Sequence, residues 1–318
     1  MAGRADVRGV RGARDGATVA QVDGALRELL SRDARQGARA AVAALPGVVR
    51  RIPELSAEPA CLRDPDRELI AALAELCEVI GWILFDAGLH RRAARANARA
   101  LALADLCGDR AMARLVLLNH AMLQTHTGRP RAALATVDRV SGPRPLPARV
   151  DVLVQIRRAH ALALLGDGRA SAALIARARH RFLDGPSRRD PAWAWWIDGT
   201  ELLGHEGWVL ARLGRWDRAV PLLQEAAAAP GGPSYRDLFG AELLSALAGA
   251  GAWRDAEDLI AGLAPRAAGI GSGRTAGSLG ATAAGLRRRA DVPASLREAA
   301  THLLEALSGR ARPPAVRP

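Results

Sequence analysis

Seven histidines (His90, His120, His126, His160, His180, His205 and His302) and three cysteines (Cys61, Cys77 and Cys107) have the widest chemical reach in this sequence. A zinc hydrolase of the H-E-x-x-H type needs two His four residues apart on one helix face. His205–Glu206 is followed by Gly207, Trp208 and Val209, so the second ligand is missing. His120 and His126 are six residues apart and fall on different faces of a helix. The cysteines form no C-x-x-C pair, and each sits in or beside an Ala/Leu-rich stretch. That is the setting of small buried thiols in a reducing compartment. The chain contains no Lys, so no G-x-x-x-x-G-K-[ST] phosphate loop can exist. GIGSGRTAGSLG, Gly269 to Gly280, contains a G-x-G but follows no predicted strand; it reads as a flexible loop. No G-x-S-x-G elbow occurs, and neither Ser295 nor Ser308 has an evident base. The expectation is a non-enzymatic protein with no catalytic residue, metal or cofactor.

The elements that position these side chains follow from composition. The 318 residues are 49% hydrophobic, enough for a substantial core, and aromatics are only 3%. Ala and Leu dominate, which favours an all-α chain over a β-sandwich or barrel. All 45 basic residues are Arg against 33 acids, for a net charge of +12. Arg in place of Lys, beside so much Ala and Gly, is the mark of GC-rich coding, which weakens the charge as evidence of a partner. The first twenty residues carry four Arg and two Asp and no apolar run of signal-peptide length. No stretch approaches the ~18 uninterrupted apolar residues of a membrane span. A cytoplasmic protein without a membrane partner is expected.

Five segments align on a Gly that closes a helical pattern: Gly88, Gly128, Gly166, Gly214 and Gly251, at steps of 40, 38, 48 and 37. Five residues later stand Ala93, Ala133, Ser171, Ala219 and Ala256. Seven residues earlier stand Gly81, Ala121, Ala159, Gly207 and, as the exception, Leu244. A Gly just past a helix end adopts the left-handed conformation that stops the helix. The next helix then folds back, and a small side chain on each helix lets the two backbones approach. Two residues after the Gly come His90, Pro130, Gly168, Trp216 and Trp253, so a ring fills the turn in at least the last two repeats.

This pattern resembles tetratricopeptide (TPR) repeats in its small–small–aromatic–Ala signature, most fully at Gly207, Leu210, Gly214, Trp216, Ala219, Leu223 and Ala226. The period of about 40 exceeds the ~34 of standard repeats. More of the chain is similar to the TPR half of Xre-type helix-turn-helix transcriptional regulators of high-GC bacteria. VDGALRELLSRDARQG (Val22 to Gly37) resembles its opening helix, Asp198, Glu201 and Leu202 its D-x-x-E-L segment, and Ser272 to Leu307 its closing helices. Those regulators carry some sixty or seventy residues of DNA-reading domain before the repeats, whereas about twenty precede Val22 here, so DNA binding is not carried over. The resemblance implies an α-solenoid of antiparallel helix pairs in a right-handed superhelix with a concave binding face. By resemblance, Trp82 and Trp208 face that groove with Met122 and His160 in the equivalent slots, and Glu75, Glu78 and Asp86 lie nearby. Packing between repeats is the alternative for each. Asp198 and Glu201, one turn apart, are either first-turn acids complementing a helix dipole and pairing with Arg or acceptors for a partner peptide.

Residues 1–17 read as a disordered Gly/Arg-rich tail, 18–55 as a helix pair, 67–265 as repeats, 275–309 as closing helices and 310–318 as a second tail. The expected partner is a protein or peptide, in signalling or transcriptional regulation. The alternative is a regulator or nucleic-acid-binding protein that contacts DNA through Arg157, Arg158, Arg188, Arg189 and Arg287 to Arg289, which are scattered rather than striped. Trp193, Trp195 and Trp196, expected to open a helix, are the candidate contact for a homodimer.

Overall fold

A computed structural model describes residues 5–59, 67–142, 145–230 and 236–309, with backbone alone for residues 5–17. Those residues form fourteen α-helices and no strand. They are α1 (Ala5–Gln36), α2 (Ala38–Arg51), α3 (Arg67–Asp86), α4 (His90–Cys107), α5 (Arg110–His126), α6 (Pro130–Asp138) and α7 (Ala148–Leu164). Then come α8 (Gly168–Leu183), α9 (Gly199–Arg212), α10 (Trp216–Ala228), α11 (Asp237–Ala250), α12 (Trp253–Leu263), α13 (Gly273–Arg288) and α14 (Ala294–Leu307). None is long and apolar enough to cross a membrane.

The five aligned glycines join α3 to α4, α5 to α6, α7 to α8, α9 to α10 and α11 to α12, each with φ between 70° and 83°. That left-handed backbone is open to glycine at little cost. His90, Pro130, Gly168, Trp216 and Trp253 are the first residues of the second helices. Ala93, Ala133, Ser171, Ala219 and Ala256 are all fully buried against the first helices. At the third pair the Ser171 hydroxyl donates to the Ala159 carbonyl at 2.9 Å, so a polar side chain fits the slot by satisfying its own hydroxyl. At the fourth pair a Cβ on Gly207 would stand 2.7 Å from Leu223 Cγ.

Successive pairs stack so that the first helices touch in the order α3, α5, α7, α9, α11 and α13, and α13 in turn touches α3. Three corrections to the sequence expectations follow. Residues 269–280 are no flexible loop, since Ser272 accepts from the Thr275 amide at 3.1 Å and caps α13 from Gly273 onward. The cluster around Trp195 opens no α-helix; residues 192–196 form a 3₁₀ turn, and α9 starts only at Gly199. The backbone of residues 5–17, expected as a tail, continues α1, because extending a formed helix adds one hydrogen bond per residue fixed. Residues 310–318 and Cys61 lie outside the described residues; Cys77 and Cys107 are buried free thiols.

Candidate functional site

The first helices carry most of the ionisable and aromatic side chains at issue, and α13 reaches across to them. Gly271 and Gly273 make this possible. A Cβ on Gly271 would collide with the backbone of Gln36 and Gly37, and one on Gly273 with the backbone of Ala87. The Arg39 amide donates to the Gly271 carbonyl at 3.1 Å. Backbone thus lies directly on backbone at both ends of this short segment, and α13 is delivered to the C-terminal end of α3.

There Asp86, only 1% exposed, accepts from Ser272 Oγ at 2.9 Å and from Arg274 Nε at 3.2 Å. The Arg274 guanidinium also lies 4.8 Å from the Phe85 ring centroid and 5.4 Å from that of Trp82. A buried cation is tolerable only when paired and hydrogen-bonded, and here a carboxylate and two π faces surround it. Trp82 and Asp86 are therefore brought together, and their shared occupant is the chain's own arginine.

Further along the row, His160 stacks on Trp208, with ring centroids 4.2 Å apart and planes at 21°. His205 meets His160 edge-on at 4.9 Å, and its Nε2 lies 3.7 Å from Glu201 Oε2. Burial, and then Arg157 and Arg212, hold the His160 imidazole well below its usual range. Burial, then His160, Arg157 and Arg274, do the same for His205. Both rings are neutral near pH 7 and serve as packing surfaces. Arg212 lies 4.9 Å from the Trp208 ring centroid and donates to Glu242 Oε2 at 2.8 Å. Burial raises the Glu242 carboxyl against the opposing pull of Arg212 and Arg274. A second pair of rings, His90 and His126, meets at 5.0 Å beside Phe85.

Asp198 and Glu201 are engaged within the chain. Asp198 caps α9 by accepting from the Glu201 amide at 3.0 Å. Arg236 then clamps both acids, donating to Asp198 Oδ2 at 2.6 Å and to Glu201 Oε1 at 3.1 Å. This matches the first-turn, Arg-paired alternative of the two that the sequence leaves open. Glu78 is buried and accepts from Asn119 Nδ2 at 2.6 Å. Burial pushes its carboxyl up to about 7, against the Asn119 hydrogen bond and with Glu75 adding to the rise. Glu75 is exposed, its carboxyl raised first by partial loss of solvent and then by Asp23 and Asp109. Met122 is half-buried against the N-terminal core.

Among the described residues no three His, Cys, Asp or Glu side chains gather so as to hold a metal ion. Sequence reasoning missed Arg212, Arg236, Glu242 and Arg274, which answer the charges of this interior. Their partners lie from 30 to 188 residues away, where helical periodicity carries no information. Of the tryptophans at 193–196, Trp193 donates to the Ala111 carbonyl at 3.2 Å and Trp196 packs on the core, leaving Trp195 79% exposed. No protein-family model matches this chain, and neither does any curated protein.

Proposed function

We propose that this protein is a non-enzymatic TPR-like scaffold, an α-solenoid whose helix pairs wind into a right-handed superhelix and whose inner face binds a protein or peptide partner. Signalling or transcriptional regulation is the setting that the resemblance to Xre-type regulators suggests. The reading is carried by the partly exposed Trp208, stacked on His160 and flanked by Arg212. The ring is held rigid by the stacked His160 imidazole and by the Arg212 guanidinium over it, and its exposed part offers the kind of aromatic anchor that dominates binding energy at protein interfaces. The other end of the row, at Asp86, already holds Arg274, so the partner surface is assigned to the stretch from Met122 to Trp208 rather than to the whole expected set.

Nucleic-acid binding is the competing reading, and much of its arginine supply is already used. Arg157 is buried, Arg158 pairs with Asp138 at 2.7 Å, and Arg189 donates to the Pro145 carbonyl. Arg289 pairs with Asp291 at 2.7 Å and lies 4.8 Å from the Trp253 ring centroid. The deciding experiment is affinity capture of the tagged protein from its own lysate, with and without nuclease, for the native chain and two variants. Trp208→Ala is expected to lose the captured protein while Arg288→Ala keeps it, at moderate salt and after nuclease. The reverse order, with all capture lost on nuclease treatment, would establish phosphate contacts, whose strength falls with salt through counterion release.

A further inference from the structure

The step from Gly166 to Gly214 is the longest of the five-glycine series. Between α8, α9 and the start of α10 lies a cleft of about 350 Å³, at the lower end of the range for small-molecule sites. One wall is thin, because Gly168, Ala172 and Ala176 follow one another at four-residue spacing along α8. The opposite wall is apolar, built by Val209, Leu210 and Leu213 of α9 and its turn.

Two features make this cleft more than a packing defect. Glu206 lines it, with 9% of its side chain exposed. One of its oxygens, Oε1, is held only at 3.4 Å by Nη1 of Arg179, whose side chain is 56% exposed. The other, Oε2, is buried without any hydrogen-bond partner. A carboxylate oxygen left in that state loses its hydration with nothing in return, and rotation about the last side-chain bond exchanges the two oxygens. The second feature is the rim, where three arginines, Arg179, Arg215 and Arg218, line the same cleft. A simple cation would be repelled by the rim, and a simple anion would leave Glu206 unanswered.

We infer that the cleft between α8, α9 and α10 binds a small zwitterion with an apolar body, an apolar amino acid or short apolar peptide, through Glu206 and the arginine rim. The ligand ammonium donates to the Glu206 carboxylate, its carboxylate accepts from the guanidinium groups of Arg215 and Arg218, and its side chains lie between Ala172 and Leu213. The site is separate from the Trp208 face, and neither reading depends on the other.

Titration calorimetry with the dipeptide leucyl-leucine on the full chain tests this. Saturable binding at or below about 1 mM is expected, an affinity ordinary for a ligand of this size. N-acetyl-leucyl-leucine, which lacks the ammonium, and leucyl-leucinamide, which lacks the carboxylate, should each bind about tenfold or more weaker, the scale of one charged hydrogen bond. Glu206→Gln should weaken leucyl-leucine by a similar factor and leave the weak acetylated compound unchanged, with the helical circular dichroism intact. Ala172→Leu, which fills the cleft from an exposed position, should abolish binding even if the Glu206 variant folds poorly. Absence of binding to the native chain overturns the proposal. So does equal affinity for all three compounds, or binding that survives Ala172→Leu.

Discussion

Glu78 and Asp86 stand eight residues apart on α3, and the protein meets their charges in opposite ways. Asp86 is answered by a guanidinium and a hydroxyl from α13 at 3.2 and 2.9 Å, with two aromatic rings completing the enclosure. Glu78 receives one amide from the neighbouring pair at 2.6 Å, and the charge that acts on it is the like-charged Glu75. Burial then wins, and the Glu78 carboxyl rises to about 7. The same helix therefore shows the two routes open to a buried acid. It takes a pre-positioned counter-ion, or it takes a proton.

Breaking the first arrangement should have the largest effect. Arg274→Ala leaves Asp86 buried and unpaired, and a loss of roughly 3–5 kcal/mol in denaturant unfolding is expected. Adding Asp86→Asn to that variant should recover part of the loss, because the pair is coupled; strictly additive costs would show that the two do not act together. The second arrangement should respond with the opposite sign. Glu78 holds its proton more tightly folded than unfolded, so the folded chain carries the extra proton between about pH 4.5 and 7 and loses stability as pH rises through that window. Glu78→Gln should stabilise the protein by roughly 2–3 kcal/mol at pH 8 and by nearly nothing at pH 4. A gain equal at both values would mean that folding does not raise the Glu78 carboxyl. The smallest effect is expected from Ser272→Ala, which removes a cap from α13 and a donor from Asp86 while leaving the guanidinium; a loss of about 1 kcal/mol in the same assay would set the hydroxyl below the ion pair.

How much of this was legible in the sequence depends on distance along the chain. The turns were, because a left-handed Gly and a small residue five positions later belong to one local event, and all five glycines and all five partners sit as that event requires. Ser171, the one polar side chain among the five, is accommodated by its bond to the Ala159 carbonyl twelve residues earlier. The closing segment was misread for a physical reason. Glycine is used both where a chain must stay free and where two backbones must touch, and composition does not separate these uses. The residues that distinguish them, Gln36, Gly37 and Ala87, lie far upstream of Gly271 and Gly273. The candidate site was legible in half. His160 and Trp208 do come together, and Trp82 joins Asp86, but the arginines that decide the electrostatics left no local trace.

The contact of α13 with α3 has a consequence for how such a protein can change over time. Stacked helical repeats usually touch only their neighbours, so whole units can be duplicated or deleted and the remainder still stands. Here the last turn of the row must land on Gly37, Asp86 and Ala87. One pair more or fewer would carry Ser272 and Arg274 past their seats. Helix pairs recur along the row, but the contact of α13 with α3 ties its two ends to one spacing.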